Sequence, residues 1–437
     1  MEIWALIMLA ATVALLLLGY PVAFTLGAVS LLFGGVLLGL DFFALLPLRI
    51  WGIMTNFTLL AVPLFIFMGV ILEKSGLAEE LLETMSRLFG QLRGGMGISI
   101  VLVGALLAAT TGVVGATVVT MAVIALPVML RHGYKPELAT GTIAASGTLG
   151  QIVPPSIVLI LLGDIVGVPV GQLFAAAVIP GGLLIVLFII YILLVARWRP
   201  DSAPAITPKA GAGPLLPQVI KSLIPPLLLI FAVLGSIFFG VASPTESAAV
   251  GALGAMLLAA MHRRLNLNNL REAMRSTTRM TSMVFLILVG ATAFGLVFRG
   301  LGGDDLVLAL MSSLPGGQWG FLLVSMLIIF VLGFFLDFIE ISFIVVPILA
   351  PIALYLGVDP LWFAVLIALN LQTSFLTPPF GFSLFYLKAA APPEIRMQQI
   401  YRGVLPFVAI QLVALSLVIL FPQIALWLPE LMDQLAR

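Results

Sequence analysis

Apolar runs long enough to cross a bilayer, roughly 20 residues each, alternate with short polar stretches along the whole chain. Leu6–Leu18 and Val22–Leu40 are two predicted spans, joined at Gly19-Tyr20-Pro21. A short stretch, Asp41–Asn56, precedes a third span at Phe57–Leu72. In Glu73–Gly95, Leu77, Leu81, Leu82, Met85 and Leu88 recur at helical spacing among charges, which predicts an amphipathic helix lying in the interface. Gly97–Leu130 and Leu138–Val168 are apolar but interrupted, near Thr110–Gly115 and at Pro154-Pro155. Val170–Val195 is a further span, and Arg197–Gln218 is a Pro/Ala/Gly linker. Spans Ile220–Phe239 and Ala248–Met261 follow, then a basic arm, His262–Arg279, and a span, Met280–Val297. Beyond the polar stretch Arg299–Gln318, Phe321–Leu356 is interrupted at Asp337–Ser342, and Leu361–Leu387 at Pro378-Pro379. A basic loop, Tyr386–Arg402, and a last span, Val404–Leu428, complete the pattern.

The two Pro-Pro pairs lie inside apolar runs. Proline removes a helix hydrogen bond and clashes with the preceding turn, so each pair predicts a broken helix. At membrane depth the freed N–H and C=O groups are tolerated only against protein or a wet cavity. Such breaks in corresponding positions of two halves mark a transporter binding site. The halves do correspond. Pro127 and Pro351, Gly133 and Gly357, Pro136 and Pro360, Pro154 and Pro378, and Pro155 and Pro379 all keep one offset of 224 residues.

Basic loops orient the spans. Arg197–Lys221 and His262–Arg279 are both Lys/Arg-rich and separated by two spans, so they lie on one side, taken as cytoplasmic. With the runs interrupted near Thr110–Gly115 and Asp337–Ser342 read as re-entrant hairpins, both termini fall on the outer side and the two halves are inverted. Arg299, beside Asp304 and Asp305, is then on the outer face. Composition agrees with a polytopic membrane protein: 62% of the 437 residues are hydrophobic, 9% are charged, and mean hydropathy is +1.24, where soluble domains carry about 25% charge. Glu2 replaces the basic start of a secretory signal, so the first run is a retained helix. A net charge of +1 gives no indication of a nucleic-acid partner, and the absence of cysteine excludes disulfides and thiolate chemistry. Neither a Walker-type phosphate loop nor a GxSxG or HExxH pattern occurs.

Four places carry candidate chemistry. The first tip, Ala109–Thr117, offers hydroxyls from Thr110, Thr111 and Thr117, with Gly112 and Gly115 allowing close backbone approach; the alternative is ordinary small-residue helix packing. The second tip, Gly333–Ser342, carries Asp337 and Glu340 inside an apolar run, where ionisable groups mark ion or substrate paths; alternatively the two acids pair with each other or sit at the interface. The breaks add Gly147–Ser156 and Thr373–Gly381. Oxygen-rich tips suit hard cations, and half-helix N-termini suit a carboxylate. Together they predict cation-coupled import of an organic anion. Asp164 is balanced between a functional role and a solvated helix end. Glu246 in "SPTES" predicts a helix cap with Ser243 or Thr245. Glu73/Lys74 and Glu79/Glu80 predict a solvated helix face.

"LATGTIAASGTLGQIVPPSIVLILLGD" (138–164), "VASPTESAAVGA" (241–252), "LGFFLDFIEISFIVVPILAPIA" (332–353) and "LNLQTSFLTPPFGFSLFYLK" (369–388) closely resemble the large membrane subunit of tripartite ATP-independent periplasmic (TRAP) transporters, over essentially the whole chain. The resemblance implies an all-α, inverted-repeat, elevator-type secondary transporter with two re-entrant hairpins and two broken helices. It implies a multi-pass protein of the bacterial inner membrane that is not an enzyme and has no organic cofactor. Sodium is the implied coupling ion. The implied partners are a small membrane subunit on a separate chain and a periplasmic substrate-binding protein that captures an organic acid.

Sodium sites are implied where each tip meets a break: Thr110, Thr111, Gly112 and Gly115 with Gly150 and Pro154, and Asp337, Glu340 and Ser342 with Thr373, Thr377 and Pro378. Thr117, Gly147, Pro155, Ser156, Ser374 and Pro379 are the candidates for the substrate pocket between them. Where many members carry a serine-rich "SGSS" first tip, this chain has Thr110-Thr111-Gly112-Val113-Val114. "DFIEIS" resembles the branch associated with keto and hydroxy acids.

The expected organisation is a scaffold of spans and an arm over 1–94, a first mobile half over 95–169, scaffold, linker and second arm over 170–279, a scaffold span and outer stretch over 280–317, a second mobile half over 318–388, and a loop with the last span over 389–437. The alternatives are a stand-alone cation/anion symporter without a binding protein, an ion channel, and an intramembrane enzyme using Asp337 and Glu340.

Overall fold

The computed structural model describes residues 2–112, 114–206 and 214–435. Every regular element among them is helical. The first half runs α1 (Glu2–Leu17), α2 (Val22–Leu37), α3 (Leu46–Met54), α4 (Ala61–Lys74), α5 (Leu77–Phe89), α6 (Gly95–Thr111), α7 (Val114–Arg131), α8 (Pro136–Thr148) and α9 (Ile157–Val166). Then come α10 (Val170–Trp198), α11 (Leu215–Phe238), α12 (Pro244–Met261), α13 (Leu267–Gly300) and α14 (Gly303–Ser312). The second half continues with α15 (Gln318–Leu332), α16 (Phe338–Ile344), α17 (Val346–Tyr355), α18 (Pro360–Leu376), α19 (Phe382–Ala390), α20 (Met397–Leu420) and α21 (Gln423–Leu435). Among the described residues six helices are long and apolar enough to cross a membrane, up to eight if each bent pair is one span.

The repeat reappears in the backbone. Pro127 and Pro351 lie inside α7 and α17. Gly133 and Gly357 both hold a left-handed φ, 81° and 78°, a conformation glycine adopts without a side-chain clash. Pro136 and Pro360 open α8 and α18, where a missing N–H costs nothing. The packing is reciprocal as well. α7 touches its own α8 and the other half's α19; α17 touches its own α18 and the other half's α9. That exchange is what a pseudo-twofold axis produces.

Four predicted boundaries are corrected. The arm His262–Arg279 and the span Met280–Val297 are one helix, α13, because no glycine or proline interrupts residues 267–289. The last span is two helices, α20 and α21, parted at Phe421-Pro422, since proline cannot continue a helix. The basic loop shrinks to 391–396, because α19 and α20 extend into it. The linker is trimmed by α10 and α11, and its residues 207–213 lie outside the described residues.

Most of the apolar stripe of α5 does not lie open at an interface, Leu88 at 41% exposure being the exception. Leu77, Leu81, Leu82 and Met85 are buried, against α6 and α11. Nor are the charges at the end of α4 and on α5 merely solvated. Lys74 Nζ lies 2.6 Å from Glu272 Oε2, and Glu80 takes a 3.0 Å hydrogen bond from Ser222 and faces His262 Nε2 at 2.9 Å. The predicted Ser243–Glu246 cap is present as a capping box. Glu272 and Arg299 belong to one helix, 27 residues apart, which at 1.5 Å per residue is about 40 Å. This matches a bilayer with its headgroup regions, about 40–45 Å.

Candidate functional site: two tip–break junctions

In the first half α6 ends where Gly112 takes a left-handed φ of 60° and returns its N–H to Ala108 O at 3.0 Å. Val113 lies outside the described residues. Thr110 and Thr111 are still helical, and both hydroxyls donate to Leu107 O at 2.9 Å. Thr111 Oγ1 also meets Thr117 Oγ1 of α7 at 2.8 Å. The break lies between α8 and α9: a short 3₁₀ turn, Leu149–Gln151, then Pro154-Pro155 and Ser156. Tip and break touch. A Cβ on Gly112 would lie 3.1 Å from Ile157 Cγ1, and one on Gly150 would lie 3.5 Å from Ala108 O. Ser156 Oγ donates to Gln151 O at 3.2 Å. Gly147 packs on Val118 of α7, where a Cβ would come within 2.2 Å of Cγ2. Gly115 lies elsewhere, against the ring of Tyr386 on α19, so it joins the two halves and does not line the first junction.

The second tip differs from expectation. The chain leaves helix over Gly333–Leu336, while Phe338–Ile344 is helical. The interruption therefore precedes Asp337. The reason is local: Asp337 is the N-cap of α16. Its Oδ1 accepts Phe338 N–H at 2.7 Å, and its own N–H donates to Glu340 Oε2 at 3.1 Å. The spacing of three residues is that of a capping box. The two acids are tied to one backbone terminus.

Gly333 lies on Ser374 of α18, where a Cβ would be 2.1 Å from Oγ. Ring contacts complete the junction: Phe338 to Phe375 at 6.4 Å and Phe335 to Phe380 at 5.2 Å, centroid to centroid. The hydroxyls of Thr373, Ser374 and Thr377 donate to carbonyls within α18, Leu369 O, Leu371 O and Thr373 O. At the break, Tyr401 OH donates to Pro379 O at 3.0 Å, and Pro378 begins the turn that Phe382 ends.

Three residues at these junctions stand out for what they lack. Ser342 Oγ and both side-chain polar atoms of Gln151 and of Gln372 are buried with no hydrogen-bond partner. A buried polar atom without a partner costs about 1–3 kcal/mol. Of these only Ser342 was a sequence candidate. Gln151 stands beside the first break and Gln372 in the last turns before the second; a glutamine inside an apolar run was the available signal. The sequence also missed Gly69 of α4. A Cβ there would lie 2.6 Å from Thr111 Cα and 2.8 Å from Thr110 O, so its bareness is what lets the first tip approach α4.

Both junctions present oxygen donors, as a hard cation requires. Among the described residues no three His, Cys, Asp or Glu side chains are placed so that they could hold a metal ion together. Asp164, near the end of α9, accepts a 2.6 Å hydrogen bond from Asn56 Nδ2. This ties α9 to the segment before α4.

Residues 9–424 match the family model described as the "DctM component" of the tripartite ATP-independent periplasmic transporter. The chain is 32% identical over 386 residues to the C4-dicarboxylate TRAP transporter large permease of Pseudomonas aeruginosa, covering 88% of this chain and 89% of that one. It is 30% identical over 422 residues to the sialic acid TRAP transporter large permease of Vibrio cholerae, covering 95% and 96%. In fold it is similar to the YdaH transporter of Alcanivorax borkumensis, with a TM-score of 0.66 at 15% identity, over 95% of this chain and 98% of that one. These relatives are named as transport permeases, not enzymes, which removes the intramembrane-enzyme alternative. The chain belongs to the tripartite ATP-independent periplasmic transporter family, as a large permease subunit.

Proposed function

We propose that this chain imports small organic carboxylates with sodium, by an elevator movement of the two tip–break halves against the remaining helices. It acts in the inner membrane, with both termini at the outer face, together with a small membrane subunit and a periplasmic substrate-binding protein. The observation that carries the reading is the pair of oxygen-rich junctions with buried, unpartnered polar atoms, Ser342 Oγ, Gln151 and Gln372. Sodium is cargo here as well as driving ion. At the first junction Thr110, Thr111, Thr117 and Gln151 offer neutral oxygens. At the second Ser342, Gln372 and the Asp337–Glu340 box offer hydroxyl, amide and carboxylate oxygens.

The carboxylate reading rests on α9 and α19. Their N-terminal residues Ser156 and Gly381 make no side-chain cap, so the first N–H groups of each helix are left to water or an anion. Both relatives named above are permeases for acids, a C4-dicarboxylate and sialic acid, which favours the same class. A keto or hydroxy acid is the narrower expectation from "DFIEIS".

Reconstitution tests this. Proteoliposomes hold the chain with its small subunit, and the binding protein and labelled acids are outside. Uptake is expected under an inward sodium gradient, and not with potassium alone or without the binding protein. Uptake indifferent to sodium overturns the coupling. Uptake without the binding protein establishes a stand-alone symporter.

A further inference from the structure

In the proposed orientation the outer face is nearly free of basic residues. Of 20 Lys and Arg, only Arg49, Arg299 and the terminal Arg437 fall there, and Arg49 is the sole basic residue before Lys74. Arg49 and Arg299, 250 residues apart in sequence, line one cavity of about 240 Å³. Its walls come from both parts of the molecule: α3 and α13 on one side, the end of α9 and the α16–α17 bend on the other. Asp164, Thr292, Asp304 and Pro347 complete its polar and mobile-half edges. Arg299 Nε meets Asp304 Oδ2 at 3.2 Å, which leaves the outer edge of its guanidinium. Burial holds the Asp304 carboxyl above its ordinary value against the pull of Arg299, with Asp305 adding to the rise. Arg49 makes no ion pair among the described residues. It projects from a short helix whose neighbours Leu48 and Trp51 are 72% and 66% exposed.

Arg299 has Asp304 as a partner on one edge, Arg49 has no ion pair among the described residues, and a planar guanidinium matches a carboxylate in two hydrogen bonds. We propose that Arg49 and Arg299 form an outer vestibule that holds the carboxylate of an incoming small acid before it passes to the junctions. This rests on the carboxylate-import reading. The cavity is smaller than sites for drug-sized ligands, about 300–1,000 Å³, and suits a short acid. Because its walls belong to both parts, the vestibule exists only while α16 and α9 stand beside α13, so sliding of the mobile halves dismantles it.

The test needs no transport. The complex of this chain with its small subunit, in nanodiscs, is treated with phenylglyoxal, which modifies accessible arginine, and Arg49 and Arg299 are followed by peptide mass mapping. Pyruvate and succinate are the probes; chloride at equal ionic strength and neutral succinamide are the controls. The acids are expected to slow modification of both arginines about fivefold, a modest occupancy effect, and R49Q to remove the protection of Arg299. R49K is expected to keep it in part. Equal modification with acid and with chloride overturns the vestibule. So does protection by the binding protein alone with no effect of acid, which assigns the arginines to protein docking. The two readings fail separately: protection without sodium-driven uptake unseats the proposed coupling and leaves the vestibule, whereas uptake without protection unseats the vestibule alone.

Discussion

The two junctions share an architecture and differ in chemistry. The first is neutral: three threonine hydroxyls, a left-handed glycine and a buried break, with Pro154, Pro155 and Ser156 all shielded. The second is acidic, ring-packed and partly open, with Pro379 and Phe380 exposed. A repeat dictates where the chain breaks, since prolines and glycines act on the backbone. It does not dictate which side chains fill the break. The first junction therefore depends on close backbone packing, and the second on a capped, charged helix terminus.

Glycines break this comparison most forcefully. At Gly69 a Cβ meets backbone, Thr111 Cα at 2.6 Å and Thr111 O at 2.9 Å, which cannot rotate away. Overpacking of this kind costs about 1–3 kcal/mol, and Gly69→Ala is expected to lower sodium-driven uptake at least about tenfold while the complex still assembles, read by size-exclusion chromatography. At Gly333 a Cβ meets the side chain of Ser374, Oγ at 2.1 Å and Cβ at 2.6 Å. Gly333→Ala is expected to lose less, and Ser374→Gly to restore it in the double variant. A harmless Gly69→Ala beside a Gly333→Ala that the second change does not rescue would reverse the contrast.

The repeat itself was plain in the sequence, because each of its five Pro and Gly positions has a backbone consequence that follows from its own chemistry. Both Pro-Pro breaks and the spans at α10, α11, α12, α13 and α20 followed from the apolar pattern, whereas the first two predicted spans are helices of only 16 residues, α1 and α2. Where boundaries failed, a neighbour's contribution was hidden. The arm and span of α13 looked different in polarity, but polarity changes along a helix whenever its surroundings do. Within the second tip, Gly333–Ser342, the interruption lies at Gly333–Leu336 and not at Asp337–Ser342, because Asp337 and Glu340 act first on backbone N–H groups at the start of α16. Gly69 and the cavity between Arg49 and Arg299 were not legible at all. Each depends on segments far apart in sequence meeting in space.

The acidic junction is sharpened by separating capping from ion binding. Asparagine caps a helix nearly as well as aspartate, whereas alanine gives up about 0.5–2 kcal/mol. Asp337→Asn is thus expected to keep the complex's melting temperature yet raise the sodium needed for half-maximal uptake about tenfold, since an amide oxygen is a weaker cation ligand than a carboxylate. Asp337→Ala is expected to lower both affinity and melting temperature. An Asp337→Asn complex with unchanged sodium dependence would confine this residue to capping.

A capping box with a glutamate at its third position also occurs at α12, and it supplies the smallest effect and the control. Ser243 and Glu246 form a capping box at α12, with Ser243 N–H donating to Glu246 Oε2 at 2.7 Å and Glu246 N–H donating to Ser243 Oγ at 3.3 Å. It is exposed and belongs to no junction. Glutamine fits the third position of a capping box as glutamate does, so Glu246→Gln is expected to leave uptake, sodium dependence and melting temperature unchanged. Glu340→Gln makes the same chemical change in the partly buried box of α16. Matching insensitivity at both positions would make the second junction a capped helix end and nothing more. A sodium shift at Glu340 alone would mean that the partly buried box both caps its helix and supplies a cation ligand, which is the difference between the two halves of this protein that its repeat leaves open.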